Sequence, residues 1–432
     1  MPVEKGKLLS VEPERIREHQ RLVLDGSDIS GHWNRMFEQR VIWEYTPEQL
    51  SKITALEGGE SLGWCYQCGK CVGVCPVDVV GDYGPRKIFR KVQAGMDLFS
   101  ADDLWLCTTC MNCLRVCPKE VNMVEIMPAV REQAVLAGSM PAELQDAFEK
   151  TARYGNPLGE PARKRAEWTA EAGVEVPIVA KLGRPVDVLW WVECYPAYHW
   201  RGKEAARALA RTLAALGVDF GIVGVEEKCV ADSQRLAGEK GLFESLAEEN
   251  IKTLGKYQFR QLMVTDPHAY NAFRNEYPKY GANYQVVHYT QLLAPLVSRL
   301  EWKEALHYRV TFHDPCYLGR HNGEYQAPRE IINAIPGLEL VEMFRCRQNG
   351  YCCGGGGGGM WLDGFNARHL GERLSERRVR EAVEVGADVL AVCCPFEVSR
   401  FEDAVKSTGN EGKLLVRDII ELVDQARLGA AR

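Results

Sequence analysis

Apolar and polar positions along this chain follow two different patterns, and the switch between them divides it. The stretch from Met123 to Lys150 reads as helical. Earlier, Gly84-Pro85-Arg-Lys-Ile-Phe-Arg-Lys-Val has a proline where a helix begins and helical periodicity after it. Tyr154 to Arg165 is rich in Pro, Gly and Arg and reads as a linker. From about Pro185, apolar runs alternate with amphipathic stretches, the α/β signature. Val186-Asp-Val-Leu-Trp-Trp-Val predicts a buried strand, with Trp190 and Trp191 in its core. Gly202 to Leu216 predicts a helix ended by Gly217, and Phe220-Gly-Ile-Val-Gly-Val a second strand.

The same order then recurs. Cys194-Tyr195 follows the strand Val186 to Val192, as Cys316-Tyr317 follows a strand Tyr308 to Phe312. Cys229 comes 35 positions after Cys194, and Cys352 comes 36 after Cys316. Leu262-Met-Val-Thr-Asp266-Pro267 corresponds to Val389-Leu-Ala-Val-Cys393-Cys394-Pro395, and Val287-His-Tyr-Thr-Gln-Leu-Leu to Val416-Arg-Asp-Ile-Ile-Glu-Leu. Two such halves packed together would bring equivalent loops into one central cleft. The predicted fold class is α+β, in five parts. These are an N-terminal helical extension (1–50), a helical cysteine-rich domain (51–150), a linker (151–184) and two pseudo-duplicated α/β halves (185–300 and 301–432).

Composition narrows the function. A 432-residue chain with 46% hydrophobic and 26% charged residues is ordinary for a globular protein. A net charge of -6 gives no basic surface for nucleic acid. There is no apolar run of membrane-spanning length and no signal-peptide core after Met1, so a cytoplasmic location is expected. Sixteen cysteines are many for a reducing compartment, where clustered thiols point to metal or redox chemistry.

Eight of them lie between Cys65 and Cys117. Cys65-x2-Cys68-x2-Cys71-x3-Cys75-Pro76 and Cys107-x2-Cys110-x2-Cys113-x3-Cys117-Pro118 both fit the two-cluster ferredoxin run. In that run three close thiolates hold one cluster and the fourth cysteine serves the other. The expected sets are Cys65, Cys68, Cys71 and Cys117 for one [4Fe–4S] cubane, and Cys107, Cys110, Cys113 and Cys75 for the other. The proline after each fourth cysteine is expected to break the helix and turn the chain away. Structural zinc uses paired hooks and does not account for a triple hook with C-P given twice. The 31 residues between the runs, Pro76 to Leu106, suggest the helical kind of ferredoxin module.

The two halves differ in cysteine content. The second has Cys316, Cys352-Cys353-Gly354 and Cys393-Cys394-Pro395. The first keeps Cys194 and Cys229, with Val230 and Asp266 where further cysteines would stand. One half looks metal-competent and the other a degenerate scaffold, its two cysteines packed as small hydrophobes. Gly354 to Gly359 is no phosphate loop, since no Lys-Ser/Thr follows. Six glycines there let the backbone crowd a cluster and aim N–H groups at its sulfurs, or leave room for a bulky partner.

A cysteine, a CCG triplet some 35 residues on and a late C-P element, twice over and behind two ferredoxin motifs, resemble the cysteine-rich "CCG" domains of heterodisulfide reductases. With its first copy decayed, the chain is similar to the D-type catalytic subunit, and within that family to the sulfite-reduction-associated kind. The resemblance spans roughly Gly63 to Gln425. It implies a non-cubane iron–sulfur cluster on Cys316, Cys352, Cys353 and Cys394 that reduces disulfide-type bonds. The family's late element is C-P-x-C; here Glu397 takes the last place and Cys393 is extra. Either Cys393 or Cys346 substitutes, or one iron is open or oxygen-ligated. His313, beside Cys316, can deliver a proton or orient its loop through Asp314; His321 and Glu397 are weaker candidates.

Three readings follow. In the first, electrons from a membrane cytochrome b-type subunit fed by quinol cross the cubanes and reduce a disulfide or trisulfide. The substrate is then a heterodisulfide or a small sulfur-carrier protein, and the chain sits peripherally on the inner membrane face. In the second, the chain relays electrons from a flavin dehydrogenase subunit, of the glycolate or glycerol-3-phosphate kind, to quinone. In the third it is a scaffold with structural metal only.

Overall fold

The computed structural model describes residues 47–96 and 102–429, preceded by two short antiparallel ladders. In these, Leu9–Ser10 pairs with Val41–Ile42, and Val23–Leu24 with Ser27–Asp28. The helical extension expected over residues 1–50 otherwise lies outside the described residues, apart from the start of helix Pro47–Thr54.

The cysteine-rich segment is helical. Helix Pro85–Gln93 starts at the proline singled out above, and helices Met123–Leu136 and Ala142–Tyr154 fill the stretch predicted after it. The two C-P prolines behave differently. Pro76 opens the helix Pro76–Val80 instead of breaking one, because a missing N–H costs nothing at the first helical position. Pro118 follows the end of the short helix Asn112–Arg115, as a breaker should.

Each later half is a four-stranded parallel sheet with the same strand order, second–first–third–fourth. In the first half Val186–Trp191 lies between Phe220–Ile222 and Phe259–Val264, with Val286–His288 at the edge. In the second, Arg309–Phe312 lies between Glu339–Leu340 and Val389–Val392, with Leu415–Asp418 at the edge. Val186–Trp191, apart from Asp187, and Val389–Val392 are buried throughout, as central parallel strands under crossover helices must be. The second predicted strand stops at Ile222, where Gly224 turns the chain at φ 77°.

One apolar core runs through both sheets. Helix Trp200–Ala215 of the first half packs on Pro395–Ser407 and Ile419–Leu428 of the second. Arg201 pairs there with Glu402 at 2.8 Å and with Glu421, and Arg211 with Asp424 at 2.6 Å. The expected linker is packed down, not free: Trp168 is fully buried and meets Trp190 edge-on at 5.4 Å. A second core joins the ferredoxin segment to Leu236, Cys316, Cys352 and Phe365, so that segment docks on both halves.

Register decides what meets at the strand ends. Phe312 pairs with Ala391, so the loops holding His313–Cys316 and Cys393–Cys394 leave their sheet side by side. Trp191 pairs with Val264, and Glu193–Cys194 and Asp266 emerge together in the same way. Ligands of parallel α/β sheets gather at these carboxyl ends.

Candidate metal centres and the central cavity

The ferredoxin loops bring their eight cysteines together in two groups. Cys65, Cys68, Cys71 and Cys117 line one cavity of about 330 Å³, with Tyr66, Lys70, Arg86 and Lys119 around it. Gln67 at φ 66° and Gly69 at φ 83° curl the loop so that its thiols point inward. Cys75, Cys107, Cys110 and Cys113 line a second cavity of about 350 Å³. In each, the fourth cysteine comes from the other run. Cys68 is exposed and has its thiol pKa lowered by the Lys70 backbone N–H, so the first group opens to solvent. Cys71 is pushed up to about 11 by burial. In the second group burial drives Cys75 and Cys113 well above the usual thiol range. A metal that displaces the thiol protons is the partner this donor set suits.

A third group forms in the second half. The Sγ atoms of Cys316 and Cys352 lie 3.9 Å apart. Gly354 N donates to Cys352 Sγ at 3.3 Å and Gly355 N to Cys353 Sγ at 3.5 Å, so the glycine run does aim amides at sulfur. Cys352 is held well below the ordinary thiol range, first by the Cys316 thiol and then by Cys353. Cys353 and Cys394 stand nearby with Glu397 on the same cavity wall. Donor atoms of His313, Cys353 and Glu397 lie within 4.8 Å of one another, all three residues buried.

Other sequence candidates fall elsewhere. Cys393 is fully buried in the apolar core with Ile419 and Ile420, away from the cavity lining. Cys346 sits half-buried beside Glu342 and Asp314. His313 is fully buried off the cavity, its Nδ1 accepting from Arg378 Nε at 3.3 Å, while Asp314 ties its loop to Arg329 at 2.7 Å. His321 donates Nε2–H to the Thr109 carbonyl at 3.0 Å and is pulled down to about 3 by burial.

The third group abuts the second. Arg320 donates to the Cys110 carbonyl at 2.6 Å, and Tyr317 OH meets Thr109 Oγ1 at 2.8 Å. The glycine run presses on the same loop: a Cβ on Gly356 would lie 2.4 Å from Thr108 O, and one on Gly357 2.3 Å from Cys107 O. Only glycine permits that approach. Arg131, fully buried, donates to the carbonyls of Leu104, Cys107, Leu236 and Gly357 and so joins all three domains.

Between the halves lies a cavity of about 860 Å³, walled by Cys316, Cys353, Cys394 and Glu397 on one side and by Cys194, Cys229, Asp266 and His268 on the other. The two first-half cysteines are therefore cavity thiols, not only core filler. Arg165 donates to Cys194 Sγ at 3.5 Å and pairs with buried Glu227 at 2.7 Å. Cys194 is lowered, chiefly by the Cys229 thiol and also by Arg165. Glu193, at φ 73° and ψ 173°, holds a conformation rare outside glycine and is driven upward by burial. His268 is the cavity's imidazole. Burial alone would lower it, but its 2.7 Å bond to Asp232, with the charge of Asp266, raises it. Its ring stacks on Tyr317 at 3.9 Å. Sequence reading missed His268, although the internal repeat carried the signal: Asp266-Pro267 matches Cys394-Pro395.

Comparison with known proteins agrees with this layout. The 4Fe-4S dicluster domain matches residues 64–122, and the cysteine-rich CCG domain matches twice, over 188–274 and 310–396. The probable iron-sulfur-binding oxidoreductase FadF of Bacillus subtilis is 38% identical over 81% of this chain and 49% of its own length. The EtfAB:quinone oxidoreductase of Syntrophomonas wolfei is 34% identical over 76% of this chain and 47% of its length. The chain spans about half the length of these two relatives. The D-type subunit of the dihydromethanophenazine:CoB–CoM heterodisulfide reductase of Methanosarcina barkeri is 31% identical over 87% of this chain and 96% of its own. With a dicluster domain followed by two CCG domains, this chain belongs to the family of iron–sulfur oxidoreductases that includes the D-type heterodisulfide reductase subunits.

Proposed function

We propose that this chain is an electron relay between a membrane quinone system and a redox partner at the central cavity. The thiolates of Cys65, Cys68, Cys71 and Cys117 would hold one [4Fe–4S] cubane, and those of Cys75, Cys107, Cys110 and Cys113 the other. Cys316, Cys352, Cys353 and Cys394 would hold a third, non-cubane centre. Such clusters supply one-electron carriers. The chain's own work is to keep the three sites in file: Arg320, Tyr317 and Thr109 lock the second to the third, and exposed Cys68 leaves the first open. At that open end Trp64 and Tyr66 are exposed, a surface suited to a cytochrome b-type membrane subunit. No helix among the described residues is long and apolar enough to cross a membrane, so attachment to the inner face would come through that partner.

The observation that carries this reading is the asymmetry of the cavity. Cleaving a disulfide takes two electrons and leaves two thiolates to stabilise. Here one wall has a metal-competent thiol set, and the opposite wall has two thiols balanced by Arg165. One single-electron centre suits exchange with a flavin that gives up its electrons singly. The relative named EtfAB:quinone oxidoreductase supports a redox protein partner and a quinone at the two ends of the relay.

His268 favours a second reading, reduction of a disulfide or trisulfide (a heterodisulfide or a sulfur-carrier protein). With Asp232 behind it, it is a proton donor in the cavity that Cys316 and Cys353 line from the other side. Electron paramagnetic resonance of the oxidised, anaerobic protein decides between the two. Under relay, added thiols leave the third centre's signal unchanged and a reduced electron-transferring flavoprotein reduces it. A new signal with bound thiol, and no response to flavoprotein, overturns the relay.

A further inference from the structure

We propose that Glu397 is an oxygen ligand to one iron of the third centre, beside Cys353, and that His313 is the residue that aims it. This rests on the reading that the second half holds an iron–sulfur centre.

Glu397 stands on the first turn of helix Pro395–Ser407, two residues past Pro395. It is 2% exposed, and its Oε2 has no hydrogen-bond partner. Among the described residues no arginine pairs with it: Arg378 is held by Glu381, and Arg400 by Asp363. A carboxylate in that state, facing the thiols of Cys353 and Cys394, is costly unless a cation joins them. The other residues that could complete the thiolate set point away, Cys393 into the apolar core and Cys346 toward Glu342. Glu397 is left as the donor within reach of Cys353.

His313 belongs to the same trio but in another role. Its Nδ1 lone pair accepts from Arg378 Nε at 3.3 Å, so the neutral ring carries its proton on Nε2. A nitrogen bearing a proton cannot ligate. That Nε2 lies 3.2 Å from Glu397 Oε1, at an angle too poor for a hydrogen bond as the side chains stand, so the ring sits against one carboxylate oxygen and leaves Oε2 for metal. His313 is thus a positioning residue. An oxygen donor among thiolates makes one iron harder than its neighbours.

The test uses anaerobic protein enriched in iron-57, with the two cubanes as internal standard. Wild type should show one iron of the third centre with a Mössbauer isomer shift above that of thiolate-only sites. Glu397→Cys should fold, keep its iron and move that site into the thiolate range; Glu397→Gln should lose iron from this centre alone. His313→Leu should release that iron to a chelator roughly 10- to 100-fold faster, and His313→Gln, which retains an N–H donor, should restore its hold. Unchanged spectra and iron in both Glu397 variants would refute the ligand assignment while leaving the third centre standing. A directly coordinated nitrogen in pulsed resonance spectra would refute the role given to His313. Iron for two cubanes only, in wild type, would instead remove the reading beneath.

Discussion

Replacing Arg131 by methionine should loosen the joint that holds the three domains together. The guanidinium is fully buried in helix Met123–Leu136 and has no carboxylate partner among the described residues. Its bonds run to the carbonyls of Leu104 and Cys107 in the ferredoxin segment, Leu236 in the first half and Gly357 in the second. Methionine fills much of the volume but donates nothing. Four carbonyls lose a charged donor, and an orphaned buried acceptor costs about 1 kcal/mol at the low end, giving about 4 kcal/mol. Removing a buried charge returns part of that, so the expected net loss is about 2–4 kcal/mol. The assay is urea unfolding of anaerobic holoprotein, followed in parallel by far-ultraviolet circular dichroism and visible iron–sulfur absorption. Wild type should lose both signals together, and Arg131→Met should lose the visible band at lower urea. A loss under about 1 kcal/mol, with the two transitions still coincident, would refute the claim that this arginine is the joint.

Three further outcomes are expected. Gly356→Ala places a Cβ 2.4 Å from Thr108 O and should cost about 1–3 kcal/mol. It should also slow electron exchange between the second and third centres in rapid-freeze resonance spectra, whereas Gly241→Ala, with nothing within 4 Å, should do neither. Asp418 is raised to about 7, chiefly by burial, so the folded state binds a proton that the unfolded state gives up near pH 4. Stability should therefore fall as pH rises from about 4 to about 7, by up to about 4 kcal/mol. Asp418→Asn, which keeps the Tyr289 contact and the cap to Ile420 N, should flatten that slope in unfolding measured at pH 5 and pH 8; an unaltered slope would exclude Asp418 as its source. Chelating iron from anaerobic protein should raise hydrogen exchange around Cys107–Cys113, where thiols form part of the shared core, and leave the strands of both sheets protected. Equal exchange with and without iron would mean the thiols fold that core unaided.

Much of this architecture was legible from spacing. The C-x2-C-x2-C-x3-C-P runs carry their geometry with them, since short loops curled at Gln67, Thr109 and Met111 leave thiols few directions to point. The repeated order of strand, cysteine, strand and C-P element stood out because parallel strands need apolar runs and crossover helices between them. What escaped was set by tertiary packing. Residues 151–184 read as a linker because Tyr154 to Arg165 is rich in Pro, Gly and Arg, yet Trp168 anchors the segment to Trp190. His313 stands close to Cys316 in sequence, but strand register turns it inward to Arg378 and Glu397 and gives the cavity His268 from the other half. No local pattern distinguishes a histidine facing a cavity from one facing a core; only the pairing of sheets does.

The decayed half then has a physical explanation. Losing the partner cysteines at Val230 and Asp266 leaves two thiols, Cys194 and Cys229, too few donors for a closed cluster. Emptying such a site would strand Cys194 and Glu227 in a buried space. Arg165, coming from the segment read as linker, fills it: its guanidinium bonds Glu227 and Cys194, while Glu227 caps the N–H groups of Val192 and Glu193. The strand-end loop keeps its shape and the cavity keeps its wall, facing Cys316, Cys353 and Cys394 on the other side. Arg165→Met should therefore disturb the cavity wall through unpaired Glu227, and no added iron should repair it, because the remaining thiols cannot complete a site.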